Sequence, residues 1–196
     1  MHLVFYGPEG SGKGTQAKLL SEKLGVPILT AGDLVRHEAE SSKSALGDMC
    51  RKVLSEGKYL PDKQINLLLA RKLTSEKESK GFILDGFPRT FEQAKFLEKV
   101  LHKVGTKLDK FIYLKLSDDE AVKRLAKRKR TLFGGSNINH DTPQRVKQRL
   151  NVYRKKEKDV LRFYRPKNIT LQVDASKKVN EIFDDIVSGL NITKIK

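Results

Sequence analysis

The sequence predicts an α/β protein built on a central parallel sheet of about five strands, with helices on both faces. Three observations carry that expectation. Short apolar runs alternate with longer amphipathic segments along the chain, the signature of strand–helix–strand units. The first apolar run passes directly into a glycine-rich turn that opens a helix. No internal repeat or low-complexity linker divides the 196 residues, so they form a single domain, 1–196.

The elements follow in order. Leu3 to Tyr6 is uniformly apolar and reads as a buried strand; Gly7 to Gly14 is the turn, and a helix continues to about Leu24. Pro27 to Leu29 is a short strand. Helical spacing then covers about Asp33–Glu40, Ser44–Glu56 and Asp62–Thr74. Phe82 to Asp85 is the second long buried strand, followed by a helix from Phe91 to about Val104. Phe111 to Leu116 is a strand, and Ser117-Asp118-Asp119-Glu120 starts a helix, with its acids at the positive end of the helix dipole. Thr142-Pro143 opens a long basic helix towards Tyr164, a hydroxyl cap followed by proline in the first turn. Ile169 to Val173 is the last strand and Val179 to Leu190 the last helix. Two segments break the alternation: the all-helical stretch between Thr30 and Leu73, and the loop from Leu132 to Asp141. Both are placed to be inserted pieces that cover a substrate.

Composition narrows the function classes. Lys+Arg number 40 against Asp+Glu 24, a formal charge of +16, which favours anionic partners such as nucleotides, nucleic acids or membrane surfaces. Lys127 to Arg130 and Arg154 to Lys158 also read as solvated helix faces. Apolar runs such as Leu3 to Tyr6 and Ile65 to Ala70 are far shorter than the ~18 residues of a membrane span, so no membrane association is expected. The N-terminus lacks the pattern of a signal peptide, and Cys50 is the only cysteine, so the chain reads as cytoplasmic, without disulfides or a cysteine zinc cluster.

The strongest chemical signal is Gly7-Pro8-Glu9-Gly10-Ser11-Gly12-Lys13-Gly14-Thr15. Glycines let backbone N–H groups turn inward as a nest for phosphate oxygens, and the helix N-terminus adds positive potential. Lys13 is positioned to bridge the outer phosphates of a nucleoside triphosphate, and Thr15 to face a Mg²⁺ ion. Gly14 stands between them, where the strict motif places the hydroxyl directly after lysine, so this is a variant. The second signal is Asp85-Gly86-Phe87-Pro88-Arg89. An acid at the carboxyl end of a strand shares the sheet edge with the phosphate turn, where open α/β sheets bind ligands. Alone it would read as a turn former; beside the variant turn, Asp85 reads as a Mg²⁺ contact through water.

Taken together, Gly7 to Gln16, Thr30 to Arg36, Gly57 to Pro61, Asp85 to Arg89 with Gln93, Arg124 with Arg128, and Arg149-Leu150 resemble the nucleoside monophosphate kinases, most closely the short-lid adenylate kinases. The resemblance runs through essentially the whole chain. It implies a P-loop three-layer fold with an NMP-binding insertion at 30–61, a short lid at 129–142 and the remainder as core. It implies the reaction ATP + AMP ⇌ 2 ADP with Mg²⁺ as cofactor. ATP would meet Gly10, Ser11, Gly12, Lys13, Gly14, Thr15, Arg124, Arg128 and the backbone near Lys177. AMP would meet Thr30, Ala31, Arg36, Lys58, Tyr59, Leu60, Gly86, Arg89, Gln93 and Arg149, with Gln93 and the backbone of 58–60 reading the base. Lys13, Asp85, Arg89, Arg124, Arg128 and Arg149 are the expected catalytic set, Arg36 and Arg89 clamping the acceptor and the last three converging on the moving phosphoryl. Singly, each of these arginines reads as a solvated surface residue. No obligate protein partner is implied, a monomer is expected, and nucleic acid is not an expected partner despite the charge.

The chain departs from the family pattern in three places. Ala31 stands where a hydroxyl residue commonly precedes Gly-Asp, which puts more of the adenine selectivity on Gln93. Uridylate–cytidylate kinases share an alanine there, yet usually carry Asn at the place of Thr90. The segment Ile138-Asn139-His140-Asp141 stands in the register of Arg-x-Asp-Asp, so one lid arginine and one acid are missing, with Lys129 or Arg130 as possible substitutes. The segment has no cysteine and His140 as its only histidine, which excludes the zinc-bearing long lid. A UMP/CMP or broad-specificity monophosphate kinase remains the near alternative, and a nucleic-acid-associated P-loop ATPase the distant one. Aromatics at 7% and the lack of tryptophan speak against the latter.

Overall fold

Five parallel strands run side by side in one sheet. In the computed structural model, residues 1–75, 81–128 and 141–192 are described. The chain runs β1 (His2–Tyr6), α1 (Lys13–Leu24), β2 (Ile28–Thr30), α2 (Ala31–Ser41), α3 (Ala45–Glu56), α4 (Asp62–Ser75), β3 (Phe82–Asp85) and α5 (Phe91–Lys103). It continues through β4 (Lys110–Lys115), α6 (Asp118–Arg128), α7 (Pro143–Tyr164), a 3₁₀ turn at Arg165–Lys167, β5 (Thr170–Asp174) and α8 (Val179–Gly189). The α/β architecture with a five-stranded parallel sheet is as the sequence predicts.

Strand periodicity explains the three layers. Alternate residues of a strand face opposite sides, and here both sides are apolar, which only a sheet covered on both faces can use. Val4, Tyr6, Leu84, Phe111 and Tyr113 enter one core, with residues from α2, α3, α4 and α5. Leu3, Phe5, Ile83, Ile112 and Leu114 enter the other, with residues from α1, α6 and α8. Helix α7 belongs to both: Val146 and Leu150 pack in the second core, and Val160, Leu161 and Tyr164 in the first. Its 22 residues span about 33 Å. It therefore crosses from one face to the other, with residue 149 on the turn that Val146 and Leu150 pack into the second core. At its far end the Phe111 and Tyr164 rings stack with centroids 4.1 Å apart.

Small shifts from the expected strand boundaries share one cause. Apolar runs report burial, whereas strand ends follow backbone pairing. Thr30 pairs with Asp85, so β2 extends past its apolar part, and Lys110 pairs with Leu3, so β4 begins one residue early. Helix α2 starts at Ala31 instead of Asp33 because the Thr30 hydroxyl caps it, accepting from the Asp33 N–H at 2.9 Å. Thr90 and Thr142 cap α5 and α7 in the same way. All five strands point one way, so Tyr6, Thr30 and Asp85 end at one edge of the sheet. Strands β2 and β3 lie on one side of β1 while β4 and β5 lie on the other, which makes the end of β1 the switch point where such sheets open a crevice.

Candidate active site

The phosphate turn leaves β1 into that crevice. Gly10 and Gly12 hold φ of +86° and +85°, a region that side chains avoid. At Gly7 an added Cβ would lie 2.6 Å from the Leu114 carbonyl oxygen, so the turn can pass β4 only without a side chain. Gly12 is the N-cap of α1 and offers no side-chain cap, leaving the first amide groups of the helix for an anion. The Lys13 ammonium folds over the turn, donating to the Gly7 carbonyl at 2.8 Å and the Pro8 carbonyl at 2.9 Å. Burial pushes its pKa down, while Asp85 and Glu9 pull it back up. The Ser11 hydroxyl is fully buried and finds no hydrogen-bond partner among the described residues. Thr15 is exposed in the first turn of α1.

Beside the turn lies a cleft that encloses about 770 Å³ of space, open solvent included. Lys13, Tyr59, Leu60, Gly86, Arg89, Gln93 and Arg149, all singled out in the sequence, line it. Gln93 is only 4% exposed and its amide is held at both ends. The Arg89 N–H donates to its Oε1 at 2.7 Å, and its Nε2 donates to Asp62 Oδ1 at 2.8 Å. The Thr90 hydroxyl donates to the other Asp62 oxygen at 2.6 Å. One N–H and one lone pair of the amide stay available. The Arg89 guanidinium donates to the Gly86 carbonyl at 2.7 Å and stacks 4.0 Å over the Tyr59 ring. Its neighbour Ala31 is buried close to Gly86 and carries no polar group.

Of the three arginines expected to converge, two meet. Arg128 forks onto Asp141, donating through Nε at 2.9 Å and its terminal nitrogen at 3.1 Å. Arg149 donates to the same carboxylate at 2.9 Å and to Glu9 at 3.0 Å. Arg124 turns away, to Glu120 at 2.8 Å and to the carbonyls of Ala175 and Ser176, where the loop after β5 also carries Lys177. Lys177 itself donates to Asp185 at 2.7 Å. Arg36 pairs with Asp33, and Lys58 with Glu56 at 2.8 Å, both at the surface. The Thr30 hydroxyl donates to Asp33 at 2.5 Å as well as capping α2. Residues 129–140, with Lys129, Arg130, Ile138 and His140, lie outside the described residues, so the lid is represented only by Asp141 and Thr142.

Asp85 ends β3 opposite the phosphate turn. Burial pushes its pKa up, and the charges of Lys13 and Arg89 oppose that rise. A single carboxylate plus the Thr15 hydroxyl suits Mg²⁺, which takes hard oxygen ligands and keeps several waters.

Sequence reasoning missed several contributors. Glu9 sits inside the turn, where an acid is unexpected among phosphate-binding groups. Asp141, 2% exposed, is the one acid left in the lid register, so a signal for it was present. Asp62 orients Gln93, and nothing local marks it, since it reads as an ordinary first-turn helix acid. Glu157, hidden in a basic run, accepts from the Tyr113 and Tyr153 hydroxyls at 2.7 Å each and from Arg154 at 2.8 Å. Arg154 also donates to the Leu116 carbonyl at 2.6 Å, which pins α7 to the end of β4 one turn from Arg149.

Comparison with known proteins agrees with this arrangement. The profile of the family described as "Adenylate kinase" matches residues 5–169. A protein of Leptospira biflexa named adenylate kinase is 36% identical over 188 residues, which cover 96% of this chain and 98% of its own. One of Fusobacterium nucleatum is 34% identical over 95% of this chain and 96% of its own, and one of Archaeoglobus fulgidus 33% identical with both chains wholly covered. The Archaeoglobus alignment takes 220 residues to span the 196 of this chain, so that relative carries residues this one lacks. A glycine turn at the switch point, a lysine folded over it, an arginine-lined cleft beside it and these full-length likenesses lead to one statement: the chain belongs to the adenylate kinase family.

Proposed function

We propose that the protein transfers a phosphoryl group from MgATP to AMP, giving two ADP, with ATP on the phosphate turn and AMP in the adjoining cleft. The observation that carries this reading is the convergence of Lys13, Arg89 and Arg149 on one cleft at the end of β1. Joining two nucleotides brings several negative charges together, and catalysis then consists of positioning and neutralising them. Lys13 and the first amides of α1 hold the donor phosphates. Arg89 and Arg36 hold the acceptor monophosphate, and Arg128 and Arg149 serve the moving group, guanidinium forks matching phosphate oxygens two at a time. Mg²⁺, held by Thr15 and by Asp85 through water, neutralises phosphate charge when bound.

The base of AMP rests against Gln93, whose remaining donor and acceptor match the paired acceptor and donor of the adenine edge. Segments 30–61 and 129–142 act as covers that exclude water, which would otherwise compete with AMP as acceptor. The enzyme acts as a cytoplasmic monomer; among the described residues no helix is long and apolar enough to cross a membrane.

The test is an acceptor panel of AMP, CMP, UMP and GMP with ATP, with and without Mg²⁺. AMP is expected to give the highest kcat/KM, with measurable use of CMP or UMP because Ala31 removes one discriminating hydroxyl. A higher value for CMP or UMP would refute the choice of AMP.

A further inference from the structure

We propose that Glu9 is an internal occupant of the phosphate site, a carboxylate carried by the phosphate turn itself that nucleotide phosphates displace on binding. This rests on the reading of the turn as a phosphate site and is independent of which base the acceptor carries.

An acid in such a turn works against its chemistry, since the turn gathers positive groups around an anion. The structure shows what that charge meets. One Glu9 oxygen accepts from Arg149 Nε at 3.0 Å and lies 3.9 Å from a terminal nitrogen of Arg128. The other accepts from the Tyr59 hydroxyl at 2.6 Å. Lys13, at the start of α1, feels the same charge. Cations from α1, α6 and α7 and a hydroxyl from the 57–61 turn thus surround one carboxylate. A phosphoryl group would draw the same donors with the same sign. Two anions sharing these donors repel each other, so Glu9 and a nucleotide phosphate exclude one another from them.

The consequence is an exchange of partners. Without nucleotide, Glu9 neutralises Arg149, whose side chain is only 11% exposed, and ties the acceptor side to the phosphate turn through Tyr59. With nucleotide, Arg149 and Tyr59 pass to phosphate oxygens. When product leaves, the carboxylate takes them back. Glu9 is therefore a positioning residue that lowers nucleotide affinity and speeds release.

Glu9→Gln tests this, because glutamine keeps the shape and a group able to meet Tyr59 while removing the charge. Losing one charge-assisted competitor that is partly exposed should tighten ADP binding by about tenfold in isothermal titration, with KM for both substrates falling alike and kcat unchanged or lower. A purely structural Glu9 predicts the reverse, a misplaced Arg149 with raised KM and a lowered thermal midpoint. Glu9→Asp, which keeps the charge in the turn, should hold the ADP affinity within about threefold of wild type. Glu9→Ala should tighten binding in the same direction and decides the matter if the glutamine variant does not fold. Unchanged or weaker ADP binding in Glu9→Gln or Glu9→Ala, with the thermal midpoint retained, would overturn the proposal. Failure of the wild type to bind ADP would overturn the phosphate-site reading with it. A preference for CMP would alter only the acceptor, and the sign of the change in ADP affinity would still decide the role of Glu9.

Discussion

Replacing Asp141 by alanine should loosen the protein and slow it at once. The carboxylate is 2% exposed and accepts three hydrogen bonds at 2.9, 3.1 and 2.9 Å from Arg128 and Arg149. Hydrogen bonds to charged groups are each worth about 1.5–3 kcal/mol, but the sum overstates the loss. The Arg128 side chain is 42% exposed and regains water, whereas Arg149 at 11% cannot and falls back on Glu9. The net cost is therefore about 2–4 kcal/mol, at or below the figure for breaking a fully buried pair. In a chain of this size that lowers the thermal midpoint by roughly 5–15 °C. Turnover should fall by about 10–100-fold, because two guanidinium groups lose the group that aims them. Calorimetry of Asp141→Ala, Arg128→Ala and the double variant measures the coupling directly. A midpoint within about 2 °C of wild type, with normal turnover, would refute the reasoning.

Three further outcomes follow from the same geometry. Lys13→Ala should reduce kcat by at least about 10²-fold with circular dichroism unchanged, since its charge counts most as the phosphoryl group moves; near-normal turnover in the folded variant would remove Lys13 from the mechanism. Asp85→Asn should cut turnover yet raise the thermal midpoint of the nucleotide-free protein at neutral pH. Burial raises the folded pKa of Asp85 above its unfolded value, so its ionised form costs stability above the folded pKa, and the advantage of asparagine should shrink as pH falls through that value; an advantage that grows on acidification would contradict this. Ala31→Thr should raise the ratio of kcat/KM for AMP over CMP by about tenfold, and an unchanged ratio would show that residue 31 does not meet the base.

The sheet, its helices and the cleft were legible because each rests on a local pattern. Apolar runs such as Phe82 to Asp85 can only be buried strands in a parallel sheet, and glycines at 7, 10 and 12 mark a turn that side chains forbid. The positive half of the site was legible for the same reason, as arginines in a recognisable register. Its negative half was legible only at Asp85, which ends an apolar strand, and at Asp141 as the one acid left in the lid register. Asp62 and Glu157 gain meaning only from residues 31 or 44 positions distant, which periodicity does not report. The course of Arg124 was equally hidden. Spacing places it one turn before Arg128 on α6, yet the carbonyls it meets belong to the loop after β5.

The acids explain how the site exists before nucleotide arrives. Lys13, Arg89 and Arg149 line one cleft of a chain already carrying +16, with Arg128 beside Arg149 on the Asp141 carboxylate, and unscreened they would repel one another and destabilise the sheet edge that holds them. The two arginines nearest the lid have acids within reach: Asp141 for Arg128, and both Asp141 and Glu9 for Arg149. These carboxylates differ in how firmly they are held. Asp141 is buried and gripped by both arginines, so it aims them and stays. Glu9 is about a quarter exposed on a turn that the phosphates themselves must enter, so it is the one that can yield. Preorganised donors speed a reaction only if they need not reorganise when charge develops. A fixed acid that aims the arginines and a yielding acid that keeps their place until substrate comes together meet that requirement, at the cost of weaker nucleotide binding.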